Sequence, residues 1–231
     1  NLRRSIDPLS RGRNAIRHSA EPARTEPRAE CNPPFGGARA TGPSDTEPHV
    51  RRSTVTVICG CMFSGKTTEL LRRLVVYPRE KALAFKHAID TRYSASAIVS
   101  HGGKAAPAIV VADAGDIERH VTDGIEMAAI DEAHFFDESL ADVVARLAGR
   151  GVDVVLTSLQ PDSWGRPFPA IERLLAIADE PIVTTATCAR CGALADRTQR
   201  LTPIIDGRMV VEPSNYEPRC RNCWRPPPEP Q

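Results

Sequence analysis

The run Thr54-Val55-Thr56-Val57-Ile58 leads into Gly60-Cys61-Met62-Phe63-Ser64-Gly65-Lys66-Thr67, and no other feature constrains the fold as tightly as this junction. The β-branched run closed by Gly60 reads as a buried strand. The pattern Gly-x-x-x-x-Gly-Lys-Thr that follows is the phosphate loop that joins such a strand to a helix. Its glycines let the backbone turn N–H groups inward around phosphate oxygens, and the N-terminus of the following helix adds a favourable partial charge. In this reading Lys66 reaches the β- and γ-phosphates of a nucleotide, and the Thr67 hydroxyl ligates Mg²⁺. A glycine-containing turn that matches by chance is the bland alternative. A strand on one side and a helix on the other argue against it.

Such a loop belongs to a parallel sheet, and the chain downstream has the elements for one. Strand-like runs occur at 54–58, 82–85, 108–112, 127–130, 152–157 and 182–185. Helical patterns lie at 67–76 (Leu70, Leu71 and Leu74, stopped by Pro78), 114–120, 138–147 (closed by Gly149 and Gly151) and 170–178. Strands alternating with helices predict an α/β fold: a P-loop, RecA-like parallel sheet with helices on both faces. A length of 231 residues at 41% hydrophobic suits one such domain with a small appendage. We place a nucleotide-binding domain at 53–186, a cysteine-bearing module at 187–225 and a Pro-rich disordered tail at 226–231. Residues 1–52 differ in composition. Arginines and prolines recur, and aliphatic residues are too sparse to offset chain entropy, so a disordered extension is expected. Acidic residues mixed among its arginines argue against a transit peptide or a nucleic-acid arm.

A net charge of +1 gives no global pull toward nucleic acid or an anionic membrane. No apolar run approaches the roughly 18 residues of a membrane span, and no apolar stretch follows the basic N-terminus as a secretory signal requires. The expectation is a soluble, cytoplasmic protein.

A second acidic element complements the loop. Met127-Ala128-Ala129-Ile130 is an apolar strand that ends in Asp131-Glu132. One carboxylate at the tip of that strand lies beside the phosphate loop and can hold Mg²⁺; the next points elsewhere and is free to act as a base. Asp131-Glu132-Ala133-His134 also spells a helicase signature. Helicase motors need a second lobe, and about 50 residues after the last core strand leave no room for one.

The chain has seven cysteines. Cys188-Ala-Arg-Cys191 and Cys220-Arg-Asn-Cys223 form two C-x-x-C knuckles around a 28-residue spacer, 192–219. Four thiolates in this spacing favour tetrahedral Zn²⁺, and a full sulfur shell leaves no open position, so the site is structural. The spacer lacks the interleaved basic and aromatic residues of a nucleic-acid reader. Cys31, Cys59 and Cys61 have no partners at metal spacing, and packing is the expected role of Cys59 and Cys61.

Further motifs occur in order: Gly60 to Leu71, Asp90-Thr-Arg-Tyr93, Ser100-His101, Asp131-Glu-Ala-His-Phe-Phe136, Pro167-Phe168, Thr198-Gln-Arg-Leu201 and Tyr216-Glu-Pro-Arg-Cys-Arg-Asn-Cys-Trp224. Together they resemble the zinc-containing thymidine kinases over about residues 53–225. The resemblance implies transfer of the ATP γ-phosphoryl group to the 5′-hydroxyl of thymidine or deoxyuridine, with Mg²⁺. It implies Glu132 as catalytic base and Asp131 with Thr67 on the Mg²⁺ side. Gly60–Thr67 and Asp131–His134 correspond to the ATP site. Met62, Arg92, Phe135, Leu159, Thr185 and Tyr216 match substrate-binding positions, with Tyr216 on a lasso that covers the base. Cys188, Cys191, Cys220 and Cys223 match the zinc ligands. The family is typically a homotetramer inhibited by dTTP.

The chain departs from the pattern at several positions. Cys61 stands where Pro is usual, a change the loop should tolerate because its backbone does the work. His134 replaces Gln beside the catalytic pair and would add charge if protonated below about pH 6.5. Val210-Val211-Glu212-Pro213 replaces the glycines ahead of the lasso tyrosine, and Ser158–Trp164 departs from a loop that contains Gly-Leu-Asp. A P-loop protein that binds ATP but no nucleoside is the alternative these departures allow.

Overall fold

The structure is a computed structural model that describes residues 52–91, 94, 96–202 and 212–228. Of the extension expected over 1–52, all but Arg52 lies outside the described residues, as do Cys31, Arg92, residues 203–211 and residues 229–231.

β1 (Val55–Gly60) is buried along its whole length, as its Val, Thr and Ile residues suggest. The phosphate loop follows and opens α1 (Lys66–Leu74) at Gly65, whose φ of 84° lies in the left-handed region that glycine enters without strain. Next come β2 (Ala82–His87), the strands β3 (Ala97–Val99) and β4 (Ala105–Pro107), β5 (Ile109–Val111) and α2 (Ala114–His120). The chain continues through β6 (Met127–Asp131), α3 (Ser139–Gly149), β7 (Asp153–Leu159), α4 (Pro169–Ile177) and β8 (Glu180–Thr184). Strands pair in the order β5-β2-β6-β7-β1-β8, and every pair is parallel. All six strands and all four helices fall on stretches where the sequence predicts them.

Alternation along the strands builds two apolar layers. Val55, Val57, Cys59, Ala128, Ile130, Val154 and Leu156 point to one face, where Ile117 of α2, Leu140, Val144 and Leu147 of α3 and Ile171 and Leu174 of α4 cover them. Ile58, Met127, Ala129 and Val155 point to the other, under Leu70 and Leu71 of α1 and Ile98 of β3. Strands buried on both faces read as continuous apolar runs, which is why they were visible in the sequence. Each fully buried Leu or Ile contributes about 1.5–3 kcal/mol.

Pairing that the sequence did not reveal completes the fold. β3 and β4 form an antiparallel hairpin beside the sheet. After β8, the strands β9 (Ala186–Thr187), β10 (Leu194–Ala195), β11 (Arg197–Arg200) and β12 (Tyr216–Arg219) form two small antiparallel ribbons, β9–β10 and β11–β12. Among the described residues, no helix is long and apolar enough to cross a membrane.

Candidate active site

The carboxyl ends of parallel strands gather the chemistry, as open α/β sheets require. The loop after β1, Lys86 near the end of β2, Asp131-Glu132 at the end of β6 and Leu159 at the end of β7 border one cavity of about 280 Å³.

Three side chains and two backbone carbonyls set the loop. Lys66 Nζ donates to the Cys61 carbonyl at 2.7 Å, and Ser64 Oγ donates to the same oxygen at 2.8 Å. The Ser64 and Thr184 hydroxyls lie 2.7 Å apart, and Thr184 Oγ1 donates to the Cys59 carbonyl at 3.1 Å. Phe63 takes a left-handed φ of 64° and turns its ring outward, edge-on to His101 at 5.2 Å. No described side chain caps α1, and the helix dipole favours an anion at its opening turn. Burial lifts the Cys59 thiol to about 11 and raises that of Cys61, in each case against the pull of the Lys66 ammonium. Both sulfurs therefore stay neutral at physiological pH.

The carboxylates stand opposite. Asp131 Oδ1 accepts from Thr67 Oγ1 at 3.3 Å and from the Thr157 hydroxyl. That hydroxyl in turn accepts the Glu132 N–H at 3.0 Å, so one threonine of β7 holds both acidic residues in place. Glu132 has φ 54° and ψ 50°, a left-handed backbone that redirects its side chain from the strand's alternation. Ala133–Phe135 then form a single 3₁₀ turn. His134 Nδ1 accepts the Leu159 N–H at 3.3 Å. Nδ1 also lies 3.4 Å from Glu132 Oε2. The imidazole packs at a tilt against Phe135 and Phe168, with centroids at 4.4 and 5.1 Å.

The four module cysteines converge as their spacing predicts. All four sulfurs lie within 4.8 Å of one another, and Cys191 and Cys220 are 3.6 Å apart. A tetrahedral Zn²⁺ with bonds of about 2.3 Å needs sulfurs about 3.8 Å apart, so the donor set fits the ion. Burial opposes ionisation of Cys188, but backbone N–H groups of Cys220, Arg190 and Cys191 outweigh it and bring the thiol down to about 6, ready to bind metal as thiolate.

Compared with known families, residues 53–224 match the thymidine kinases. The chain belongs to this family. It is an ATP-dependent phosphotransferase, and membership supports thymidine phosphorylation as its activity.

Within this thymidine kinase fold the residues singled out from sequence are not all brought together. Met62, Phe63, Gly65, Lys66, Thr67, Asp131, Glu132 and Leu159 line the cavity. Gly60, Cys61 and Ser64 are not among its lining residues. Ala133 and His134 are buried behind Glu132. Phe135 stands beside His134, with its ring 6.3 Å from that of His87, and is not among the lining residues. Thr185 follows β8 and borders a separate depression with Leu194 and Asp196. Tyr216 begins β12, half-buried, with the Arg200 guanidinium 5.9 Å from its ring centre; burial raises its hydroxyl pKa. Arg92 lies outside the described residues.

No sequence motif marks Lys86. It is buried at the cavity wall, donates to Ser94 O at 2.8 Å and Ala97 O at 3.4 Å, and lies 3.4 Å from Asp90 Oδ2. A lysine inside Ala-Leu-Ala-Phe-Lys-His was the available signal, because a buried strand keeps a charge only where a partner waits. Cys61 packs, as expected of it from the sequence. Its side chain is fully buried against Cys188, Ala195 and Cys220, so the position is fixed by packing as well as by its carbonyl.

Proposed function

We propose that this chain transfers the γ-phosphoryl group of ATP to the 5′-hydroxyl of thymidine or deoxyuridine, with Glu132 as the base that takes the hydroxyl proton. The observation that carries the reading is the shared cavity, with the Lys66 and Thr67 end of the phosphate loop on one side and Asp131-Glu132 on the other. Phosphoryl transfer needs positioning and charge neutralisation more than covalent chemistry. Here Lys66 and the N–H groups that open α1 receive the phosphates, and Glu132 orients and deprotonates the acceptor. Mg²⁺, held by Thr67 and Asp131, would neutralise charge on the β- and γ-phosphates. Zn²⁺ on Cys188, Cys191, Cys220 and Cys223 would tie the module together. Met62 and Leu159, which line the cavity, are proposed to touch the nucleoside, and Arg92, Phe135, Thr185 and Tyr216 are assigned to substrate on the family resemblance. The same resemblance supports a cytoplasmic homotetramer, a nucleotide-binding domain at 53–186 and a zinc and lasso module at 187–225.

The test is a kinase assay across thymidine, deoxyuridine, deoxycytidine and deoxyadenosine, with and without Mg²⁺. The expected result is Mg²⁺-dependent 5′-phosphorylation of the first two at rates well above the others. ATP binding with no phosphorylation of any nucleoside would overturn the proposal.

A further inference from the structure

Cys61 belongs to two structures at once. Its carbonyl accepts from Lys66 Nζ at 2.7 Å and from Ser64 Oγ at 2.8 Å, which makes it the internal anchor of the phosphate loop. Its thiol points the other way, donates to the Ala195 carbonyl of β10 at 3.4 Å and packs with Cys188 and Cys220 in one small apolar cluster. The next residue repeats the connection, since Met62 N–H donates to Thr198 Oγ1 of β11 at 3.0 Å. Both contacts are buried and span more than 130 residues of sequence.

The surface that Cys61 rests on has little to hold it together apart from metal. β9 and β10 are two residues each, and β11 and β12 four. Two of the four metal-site cysteines, Cys188 and Cys220, are themselves the apolar floor under the Cys61 thiol. Cys61 is not one of the four clustered ligands, so it senses the module's order without binding the ion. A small module whose ligands are also its core orders when metal binds. At the other end, the ammonium that a nucleotide phosphate would engage is the one seated on the Cys61 carbonyl.

We infer that Cys61 is a positioning residue that couples the two sites, so that zinc in the four-cysteine module and a nucleotide in the phosphate loop each strengthen binding of the other. The inference rests on the proposed assignment of the loop to ATP phosphates and of the cysteines to zinc. Linkage makes the effect reciprocal: whatever factor zinc contributes to nucleotide affinity, nucleotide contributes to zinc affinity.

The experiment uses the full-length, zinc-loaded chain without nucleoside. Calorimetry first establishes that MgATP binds and that one zinc is present per chain; if either fails, the underlying assignment is wrong. Zinc transfer to the chromophoric chelator 4-(2-pyridylazo)resorcinol is then timed with and without saturating MgATP. Coupling predicts release slowed about five-fold or more by nucleotide, and MgATP affinity weakened by a similar factor in the zinc-depleted chain. Lys66→Ala controls for zinc capture by ATP itself and should show no nucleotide effect. In Cys61→Ala the nucleotide effect should fall below about two-fold while zinc stoichiometry is kept; Cys61→Ser, which keeps a donor of similar size, should restore part of it. Nucleotide that binds wild type without slowing zinc release overturns the inference, and this arm needs no variant to fold. A full nucleotide effect in Cys61→Ala overturns the role of Cys61.

Discussion

At Glu132 the chain puts a full side chain on a left-handed backbone, with φ 54° and ψ 50°, which costs an L residue roughly 1–2 kcal/mol. The distortion follows Asp131 at the strand end and aims two successive carboxylates at one cavity, which ordinary strand alternation forbids. Replacing Glu132 with Gln keeps the shape and removes the base. We expect kcat to fall by about 10²–10⁴ with ATP affinity and melting temperature nearly unchanged; a near-normal kcat would take the proton-accepting role away from Glu132. Gly60 is constrained by space. A Cβ there would sit 2.4 Å from both the carbonyl and the hydroxyl of Thr184 and 2.7 Å from Ser64 Oγ. Because one of these atoms is backbone, Gly60→Ala should displace the loop from β8, costing about 1–3 kcal/mol in chemical denaturation and raising the KM for ATP. Unchanged stability and KM would mean that β8 yields freely. The residue types at both positions were legible in the sequence. The backbone at Glu132 and the contact between Gly60 and Thr184 were not, because they depend on strands that meet only in the folded sheet.

α1 shows what holds the phosphate loop from its far side. Arg73 forks onto Glu180 of β8 at 2.6 and 2.9 Å and also donates to Glu69 at 2.9 Å, so the helix is pinned to the edge strand about two turns beyond the loop. Hydrogen bonding from Arg72, and then from Arg73, outweighs burial and brings the Glu69 carboxyl from 4.5 down to about 2. A carboxyl whose folded pKa lies below its unfolded one stabilises fully above the unfolded value and loses that contribution as pH falls through the folded one. For Glu69 the window runs from about pH 4.5 down to about 2. Glu69→Gln should therefore be less stable at neutral pH, and its urea-unfolding free energy should decline less steeply than wild type between pH 5 and 3. Parallel curves would remove Glu69 from the acid response. The spacing Leu70, Leu71, Leu74 made α1 readable, and unbroken apolar runs did the same for the sheet. The β3–β4 hairpin escaped because three-residue strands carry too few residues for a period to register.

Across the whole molecule, the cysteine spacing announced a metal module, but nothing local to it revealed what the module touches. The contacts reach both the phosphate loop and the connection between β7 and α4. Trp224, next to Cys223, lies so close over Gly165 that a Cβ there would meet its ring at 3.1 Å. Trp164 Nε1 donates to the Pro228 carbonyl at 3.4 Å on the same junction. These are the only two tryptophans in the chain, so intrinsic fluorescence reports on the seam between module and sheet. The apolar layers that hold α1 to α4 on the sheet contain none of the four metal-site cysteines, so the core's packing does not depend on the ion. Stripping the metal with a chelator should therefore shift tryptophan emission to longer wavelength as the junction opens to water, while far-UV circular dichroism keeps most of its helical amplitude. Restoring one equivalent of Zn²⁺ should reverse the shift. Emission unchanged by metal removal would mean that the ribbons hold their place without the ion; helical signal lost in step with the fluorescence would mean that module and sheet unfold as one cooperative unit.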